Sequence, residues 1–365
     1  MKLALRLNLY RAADLAVPVD VVREAESLDY HSLWSAEAYG ADALSPLAYL
    51  AAFTDRIKLG TGIAQLAARP PATLAMHAMT IDALAGGGRV ILGIGVSGPQ
   101  IVEGWYGQPW GHPTPLLRDY VTIIRKVLAR EAPVSHDGTE ISLPYRGPGS
   151  IGQGKPLRSI MHPVAPIPIW LGSGGPKNTE LCAEIADGWL PMGLAPDGSS
   201  LAPLEAGFAK RGGQPADFEV FTGCSVRVTD DVAGVLDGMR PLTAMYVGGM
   251  GSATHNYHRE AMARRGYPDE AARLRVIRAA CVGLPIASGT VYFLFPQPVI
   301  LVLIGALGQA LMLPFLGAAA LYFHHRRLSG VIHSRAPWTI ALWLSALAMV
   351  LAGGYQLVQT VRSFL

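Results

Sequence analysis

Residues Trp170–Asp187, WLGSGGPKNTELCAEIAD, decide how this 365-residue chain is read. The stretch opens at the end of an apolar strand, Ile167–Leu171 (IPIWL), crosses a glycine-rich turn, and enters a helix with Pro176 in its first turn. Glycine allows close backbone approach, and proline pre-sets the first helical turn at a position where its missing N–H costs nothing. The N–H groups of that turn have no partner inside the helix, and the helix dipole places partial positive charge on them. With Lys177 adding a full charge, Gly174, Gly175, Pro176 and Lys177 make a candidate phosphate site. The same residues also suit a tight strand–helix turn that holds nothing, and both readings stand at this point.

Strand–helix alternation continues on either side. Leu3, Leu5, Leu7 and Leu9 alternate as a first strand ending near Asn8, and a helix follows with Val21, Val22, Ala25 and Leu28 on one face. Ser32–Ala36 is a second strand, ending at Glu37, and Ser45-Pro46 opens a helix with a capping residue and a first-turn proline. Ile57–Thr61 and Arg89–Ile94 are the third and fourth strands; Gly188–Met192 and Phe218–Val228 follow the Trp170–Asp187 unit. This spacing predicts a parallel sheet, barrel or doubly wound. Gly93-Ile-Gly95-Val-Ser97-Gly98 matches the GxGxxG dinucleotide fingerprint, but that motif needs a helix next. Here Pro99, Trp105, Gly107, Pro109, Trp110 and Pro113 follow, which is loop chemistry, and the strand is the fourth rather than the first.

Composition narrows the classes further. Half the residues are apolar and 16% are charged, and the mean hydropathy is +0.29, so disorder is excluded. Cys182, Cys224 and Cys281 have no metal-ligand spacing, so neither a disulfide scaffold nor a metal site is expected. The net charge of +3 does not mark a nucleic-acid surface. Every Asp and Glu lies at or before Glu270, and after Arg278 only Arg326, Arg327, Arg335 and Arg362 are charged, leaving 26 basic against 27 acidic residues in positions 1–278. The basic balance therefore comes from a charge-poor tail.

That tail has membrane character. Val299–Phe323 and Trp338–Val358 each reach the roughly 20 apolar residues that span a bilayer, and Ala279–Phe295 is a shorter third candidate. The basic loop 324–335 belongs on the cytoplasmic side, and three spans place it there if the N-terminal part is cytoplasmic. No secretory signal is read at Met1–Tyr10. The expectation is a cytoplasmic barrel over residues 1–274, tethered to the inner membrane by two to three helices within 279–365.

Several segments carry a family resemblance: Ser35-Ala-Glu-Ala-Tyr-Gly40, Leu59-Gly-Thr-Gly-Ile63, Ala83–Gln100, Val102-Glu-Gly-Trp-Tyr-Gly107, Gly174-Gly-Pro-Lys177 and Ile185-Ala-Asp-Gly-Trp-Leu-Pro191. Through them residues 1 to about 270 resemble the luciferase-like monooxygenase superfamily of TIM (β/α)8-type barrels, and most of all its coenzyme F420-dependent oxidoreductases. The resemblance implies a deazaflavin across the C-terminal mouth of the barrel, its phosphate on Gly174–Lys177, with FMN the alternative cofactor. It implies that Gly95, Val96, Ser97 and Gly98 lie beside the ring system. It also implies that Gly60, Thr61, Gly62 and Ile63 form a strand-end bulge behind the ring, with a non-prolyl cis peptide at Gly62–Ile63; glycines that merely bend a trans strand are the alternative. The chemistry implied is hydride transfer between C5 of F420 and a small organic substrate, with no metal. Glu37 and His112 are the candidate proton-transfer groups, each with a plainer reading as a hydrogen-bonding carboxylate or a solvated loop histidine. The Gly- and Pro-rich loop Val134–Pro166 is a candidate substrate lid.

The tail, Pro298–Arg327 and Trp343-Leu-Ser, resembles the last helices of Nramp-type divalent-metal transporters, without metal-binding segments, so transport is not expected. A luciferase-like barrel also needs an eighth strand and a final helix after the Tyr246–Gly251 region, and here Tyr267–Leu274 runs within a few residues into the apolar tail. The expected fold is thus a barrel lacking its last strand and helix, with open edges that a partner, including a second copy of the chain, could cover. A non-catalytic fusion is the third functional alternative.

Overall fold

Ten strands and nine helices alternate along the described part of the chain. The computed structural model describes residues 1–9, 14–195, 197–223, 226–244, 246–247 and 256–272, with scattered helical positions between 343 and 362. The strands are β1 (Ala4–Arg6), β2 (Ser32–Ser35), β3 (Lys58–Thr61), β4 (Ala64–Gln65), β5 (Val90–Gly95), β6 (His136–Asp137), β7 (Ser142–Leu143), β8 (Ile169–Ser173), β9 (Gly188–Pro191) and β10 (Glu219–Val220). The helices are α1 (Val19–Ser27), α2 (Ser45–Ala51), α3 (Pro71–Leu84), α4 (Pro99–Val102), α5 (Pro113–Ala129), α6 (Pro176–Ile185), α7 (Ala202–Arg211), α8 (Val232–Ala244) and α9 (Tyr257–Arg264).

The main sheet runs β1-β2-β3-β5-β8-β9-β10, every neighbour parallel, with β4 pairing β5. Sequential order without reversal is the order of a barrel; a doubly wound sheet would reverse at a switch point. Contacts across the sheet show that it curls. Were the sheet flat, β2 and β10 would lie about 24 Å apart at the usual strand spacing. Yet the Trp34 ring on β2 sits 4.9 Å from Phe221, just past β10, and 5.2 Å from Trp170 on β8. These aromatic side chains, with Ile91, Leu190, Ala4 and Ile63, fill the interior. At the seam, Lys2 before β1 pairs with Glu219 on β10.

The opposite face of the sheet packs under the helices, where Leu33, Leu59, Leu92, Ile94, Ile169 and Leu171 meet Leu74, Met79, Tyr120, Ile124 and Leu181. Central strands are covered on both faces, which is why they read as nearly continuous apolar runs. Two local expectations change. On α1 the buried residues are Val22 and Ala25, while Val21 and Leu28 are 54% and 61% exposed, so the buried stripe is narrower than the apolar pattern. At α2 no side chain caps from the N-cap position; Asp42 Oδ1 instead accepts the Leu44 and Ser45 N–H groups, both at 2.8 Å.

Among the described residues of the strand expected over Phe218–Val228, Glu219–Val220 form a strand, paired with β9, and the Phe221 N–H adds one more bond to Trp189 O. The position of an eighth strand, after the 246–251 region, lies largely outside the described residues. So do the expected spans Ala279–Phe295 and Val299–Phe323, the loop 324–335 and much of Trp338–Val358. Among the described residues no helix is long and apolar enough to cross a membrane. The chain divides into two compact units, Met1–Arg278 and Ala279–Leu365, and the sites discussed below belong to the first.

Candidate active site

The C-terminal ends of β2, β3, β5, β8 and β9 carry most of the residues singled out from the sequence. At β8, Ser173 holds the turn: its Oγ lies 3.1 Å from Thr179 Oγ1 and accepts the Trp189 indole N–H at 2.8 Å. A three-way buried contact thus ties the first turn of α6 to β8 and β9. The first amide bonded within α6 is that of Thr179, which donates to Gly175 O at 3.0 Å, so the Lys177 and Asn178 N–H groups point out of the helix end. No side chain caps that end, and the space beside Gly175 is open for 4 Å around the position of a missing Cβ. Lys177 is exposed and has no ion-pair partner among the described residues. Gly174 lies against Met192, where a Cβ would come within 3.0 Å of its side chain. A small dianion fits this cradle by chemistry and by room.

Beside it, the ends of β3 and β5 build a floor. Thr61 Oγ1 donates to Gly93 O at 2.7 Å, and Gly62 N–H donates to Ser35 O at 2.6 Å. The Gly62–Ile63 peptide is cis. The Ile63 side chain then lies over two glycines, Gly95 and Gly172, where added Cβ atoms would approach it to 2.7 and 2.6 Å. Ser97 takes a left-handed conformation, φ 60°, rare for a residue with a side chain and a recurrent mark of ligand-binding turns. Gly98 follows as the extended N-cap of the four-residue α4. A helix does follow the GxGxxG match, contrary to the loop its flanking residues predict, but α4 is only four residues long.

Glu37 and His112 are not brought together. Glu37 is a buried anchor: its Oε1 accepts Gln65 N–H at 2.6 Å and its Oε2 accepts Ala43 N–H at 3.1 Å. Arg69 forks onto both oxygens at 2.7 and 2.9 Å. Four N–H donors thus converge on the two Glu37 oxygens, the arrangement of a hydrogen-bonding carboxylate, which was the plainer reading of this residue. The His112 side chain is 80% exposed, and its Nδ1 lies 2.8 Å from Glu140 Oε1. That contact pins the β6–β7 hairpin to the N-terminal end of α5. Asp119 of α5 reinforces the latch, accepting the Glu140 and Ile141 N–H groups at 2.7 and 3.0 Å and facing His136 Nε2 at 3.1 Å. The hairpin of the proposed lid is thus bound to α5.

Some mouth residues escaped sequence reasoning. Arg69 is the only Lys or Arg between Lys58 and Arg89, a lone cation in an apolar stretch, and that isolation was the available signal. From α9, Tyr257 lies 3.9 Å from the Cβ position of Gly98 and 6.2 Å, ring to ring, from Trp110. Arg265 donates to Met192 O beside Gly193. These contacts, 73 to 159 positions apart in the chain, have no local sequence signature. Burial raises the Tyr257 hydroxyl above its ordinary pKa, with Glu260 adding to the effect. Burial lowers His258, which stacks on Tyr246, and nearby Arg265 lowers it further.

Comparison with known proteins adds the following. A family profile described as Luciferase-like monooxygenase matches residues 5–285. A protein of Mycobacterium tuberculosis, provisionally named coenzyme F420-dependent oxidoreductase, is 45% identical over 272 residues, covering 73% of this chain and 78% of that protein. The structure of coenzyme F420 dependent tetrahydromethanopterin reductase from Methanopyrus kandleri superposes with a TM-score of 0.55 at 22% identity, covering 76% of this chain and 84% of that chain. The oxygenating constituent of 3,6-diketocamphane monooxygenase from Pseudomonas putida, in complex with FMN, superposes with a TM-score of 0.50 at 17% identity, covering 68% and 76%. At such identities the two structures share the fold. The transporter-like reading of the tail finds no support here, since the profile stops at residue 285.

Proposed function

This chain belongs to the luciferase-like monooxygenase family, and we propose that within it the chain is an F420-dependent oxidoreductase acting on a small organic substrate. The observation that carries the reading is the pairing of an uncapped α6 N-terminus, open at Gly175, with the Ile63 floor on Gly95 and Gly172. In this proposal Gly174, Gly175, Pro176 and Lys177 hold the cofactor phosphate through the Lys177 and Asn178 amides and the Lys177 ammonium. Gly60–Ile63 back the ring, and Gly95–Gly98 line its edge. When bound, the deazaflavin supplies a hydride donor or acceptor at C5. The protein's part is to bind the phosphate, hold the ring flat against Ile63 and exclude water with the apolar interior beneath it.

The 45% identity to a relative named for F420 supports this cofactor. An FMN-bound structure of the same fold keeps FMN as the second reading. Titrating full-length protein, purified in mild detergent, with F420 and FMN in parallel separates them. Saturable F420 binding supports the proposal, and binding of FMN alone replaces it with a flavin-dependent monooxygenase. The apolar sequence of 279–358 carries a second, independent proposal of an inner-membrane tether. Membrane fractionation of the full chain tests it, and recovery in the wash fraction at high pH overturns it.

A further inference from the structure

The pair Glu37–Arg69 spans the end of β2 and the segment that leads from the floor into α3. The Glu37 and Arg69 side chains are only 3% and 14% exposed. A buried ion pair contributes little net stability compared with apolar residues of the same volume, because desolvation offsets its attraction. What it supplies is a fixed geometry, and the bonds show which geometry. The Glu37 carboxylate accepts Gln65 N–H, and the Glu37 carbonyl accepts the Gln65 side-chain amide at 2.9 Å, so Gln65 is gripped twice. Three residues before Gln65, Gly62 N–H is held by Ser35 O. The segment Gly62–Gln65 is therefore fastened at both ends, to Ser35 at the end of β2 and to Glu37 two residues beyond it, with Ile63 between the fasteners. Arg69 is itself held, since its carbonyl accepts the Tyr120 hydroxyl of α5 at 2.8 Å. Oε2 of Glu37 also takes the Ala43 amide, which closes the β2–α2 loop onto the same carboxylate.

We propose that Glu37 and Arg69 are positioning residues, whose fork sets the height at which Ile63 backs the cofactor ring. The inference rests on the F420 reading, and it assigns neither residue a part in proton transfer. A lysine at position 69 keeps the charge but loses the planar two-pronged match to the carboxylate.

The test uses full-length wild type, Arg69→Lys, and the double variant Glu37→Gln/Arg69→Gln, which removes both charges together should the single change fail to fold. Hydrogen exchange of the Gly62 and Gln65 amides is followed without cofactor, and the absorption spectrum of bound F420 is recorded alongside its Kd. The expected result is at least tenfold faster exchange at these two amides with exchange in β5 and β8 unchanged. The Kd should stay within about threefold, because the phosphate turn is untouched, and the bound-ring spectrum should shift from that of wild type. Unchanged exchange at Gly62 and Gln65 overturns the proposal, as does faster exchange with an unaltered ring spectrum, which would make the pair merely structural. Failure of the wild type itself to bind F420 while exchange responds as expected would sink the cofactor reading instead, and with it the ring-positioning role.

Discussion

Ile63 and Gly172 meet across the barrel mouth from elements that are not neighbours in the sheet. Ile63 follows β3 and Gly172 lies in β8, with β5 between them, yet a methyl group on Gly172 would sit 2.6 Å from Ile63 Cγ2. The contact exists because position 172 has no side chain, and the same is true of Gly95 on the intervening strand.

Gly172→Ala should therefore lift Ile63 from its seat. Overpacking of this kind costs about 1–3 kcal/mol, read as a lower urea midpoint, and the absorption spectrum of bound F420 should shift as the support of its ring moves. Adding Ile63→Ala to the variant should recover much of the stability, because it removes the colliding atoms. A double variant no more stable than the single would show that the two residues do not share this contact.

In the interior, Trp34 lies against Gly60, where a Cβ would come within 2.5 Å of the indole. Trp170 and Phe221 close in on the other sides. Trp34→Ala should cost about 3–5 kcal/mol, as expected for a large buried aromatic residue. Gly60→Ala should also destabilise, since the ring has nowhere to move. Chemical denaturation monitored by far-UV circular dichroism reads both.

Acid should loosen the β6–β7 hairpin. Burial pushes the Asp119 carboxyl up, but the amides of Glu140 and Ile141 and the contact with His136 outweigh it and hold the pKa below the ordinary range. Burial likewise pushes the Glu26 carboxyl up, and the amides of Ile57, Arg56 and Asp55 outweigh it and hold its pKa below the ordinary range. A carboxyl with a depressed folded-state pKa contributes stability above its unfolded value and loses it as pH falls through the folded value. Unfolding midpoints should thus drop below about pH 4, and Asp119→Asn should flatten part of that slope. An identical acid profile in the variant would contradict this account.

Cys182 should be inert in the native state. It is buried on α6 with its thiol directed at Gly188 O, 3.4 Å away, and burial pushes its pKa far above the ordinary thiol range. Alkylation followed by peptide mapping should label Cys182 only after denaturant is added.

Sequence alone locates most of the scaffold because of where it is buried. The runs behind β2, β3, β5, β8 and β9 are apolar on both faces, and the structure shifts their ends by no more than two residues. Pattern failed where pairing decides. Phe218–Val228 reads as a strand, yet Val226 and Val228 are exposed and, among the described residues, the strand is confined to Glu219 and Val220. The Gly174–Lys177 strand–helix turn was legible because glycine, proline and lysine act locally. The role of Glu37 was not, because its partners Gln65 and Arg69 lie 28 and 32 positions away and a strand-end carboxylate looks the same whether free or forked.

The central claim is that Gly174–Lys177 holds the phosphate of a deazaflavin, and the most direct measurement compares two ligands on one protein. F420 and the same deazaflavin stripped of its phosphate and tail are titrated into the full-length chain. Charge-assisted hydrogen bonds contribute about 1.5–3 kcal/mol each, so the account predicts at least tenfold tighter binding of F420, with the advantage reduced by Lys177→Ala. Equal affinities for the two ligands would contradict it.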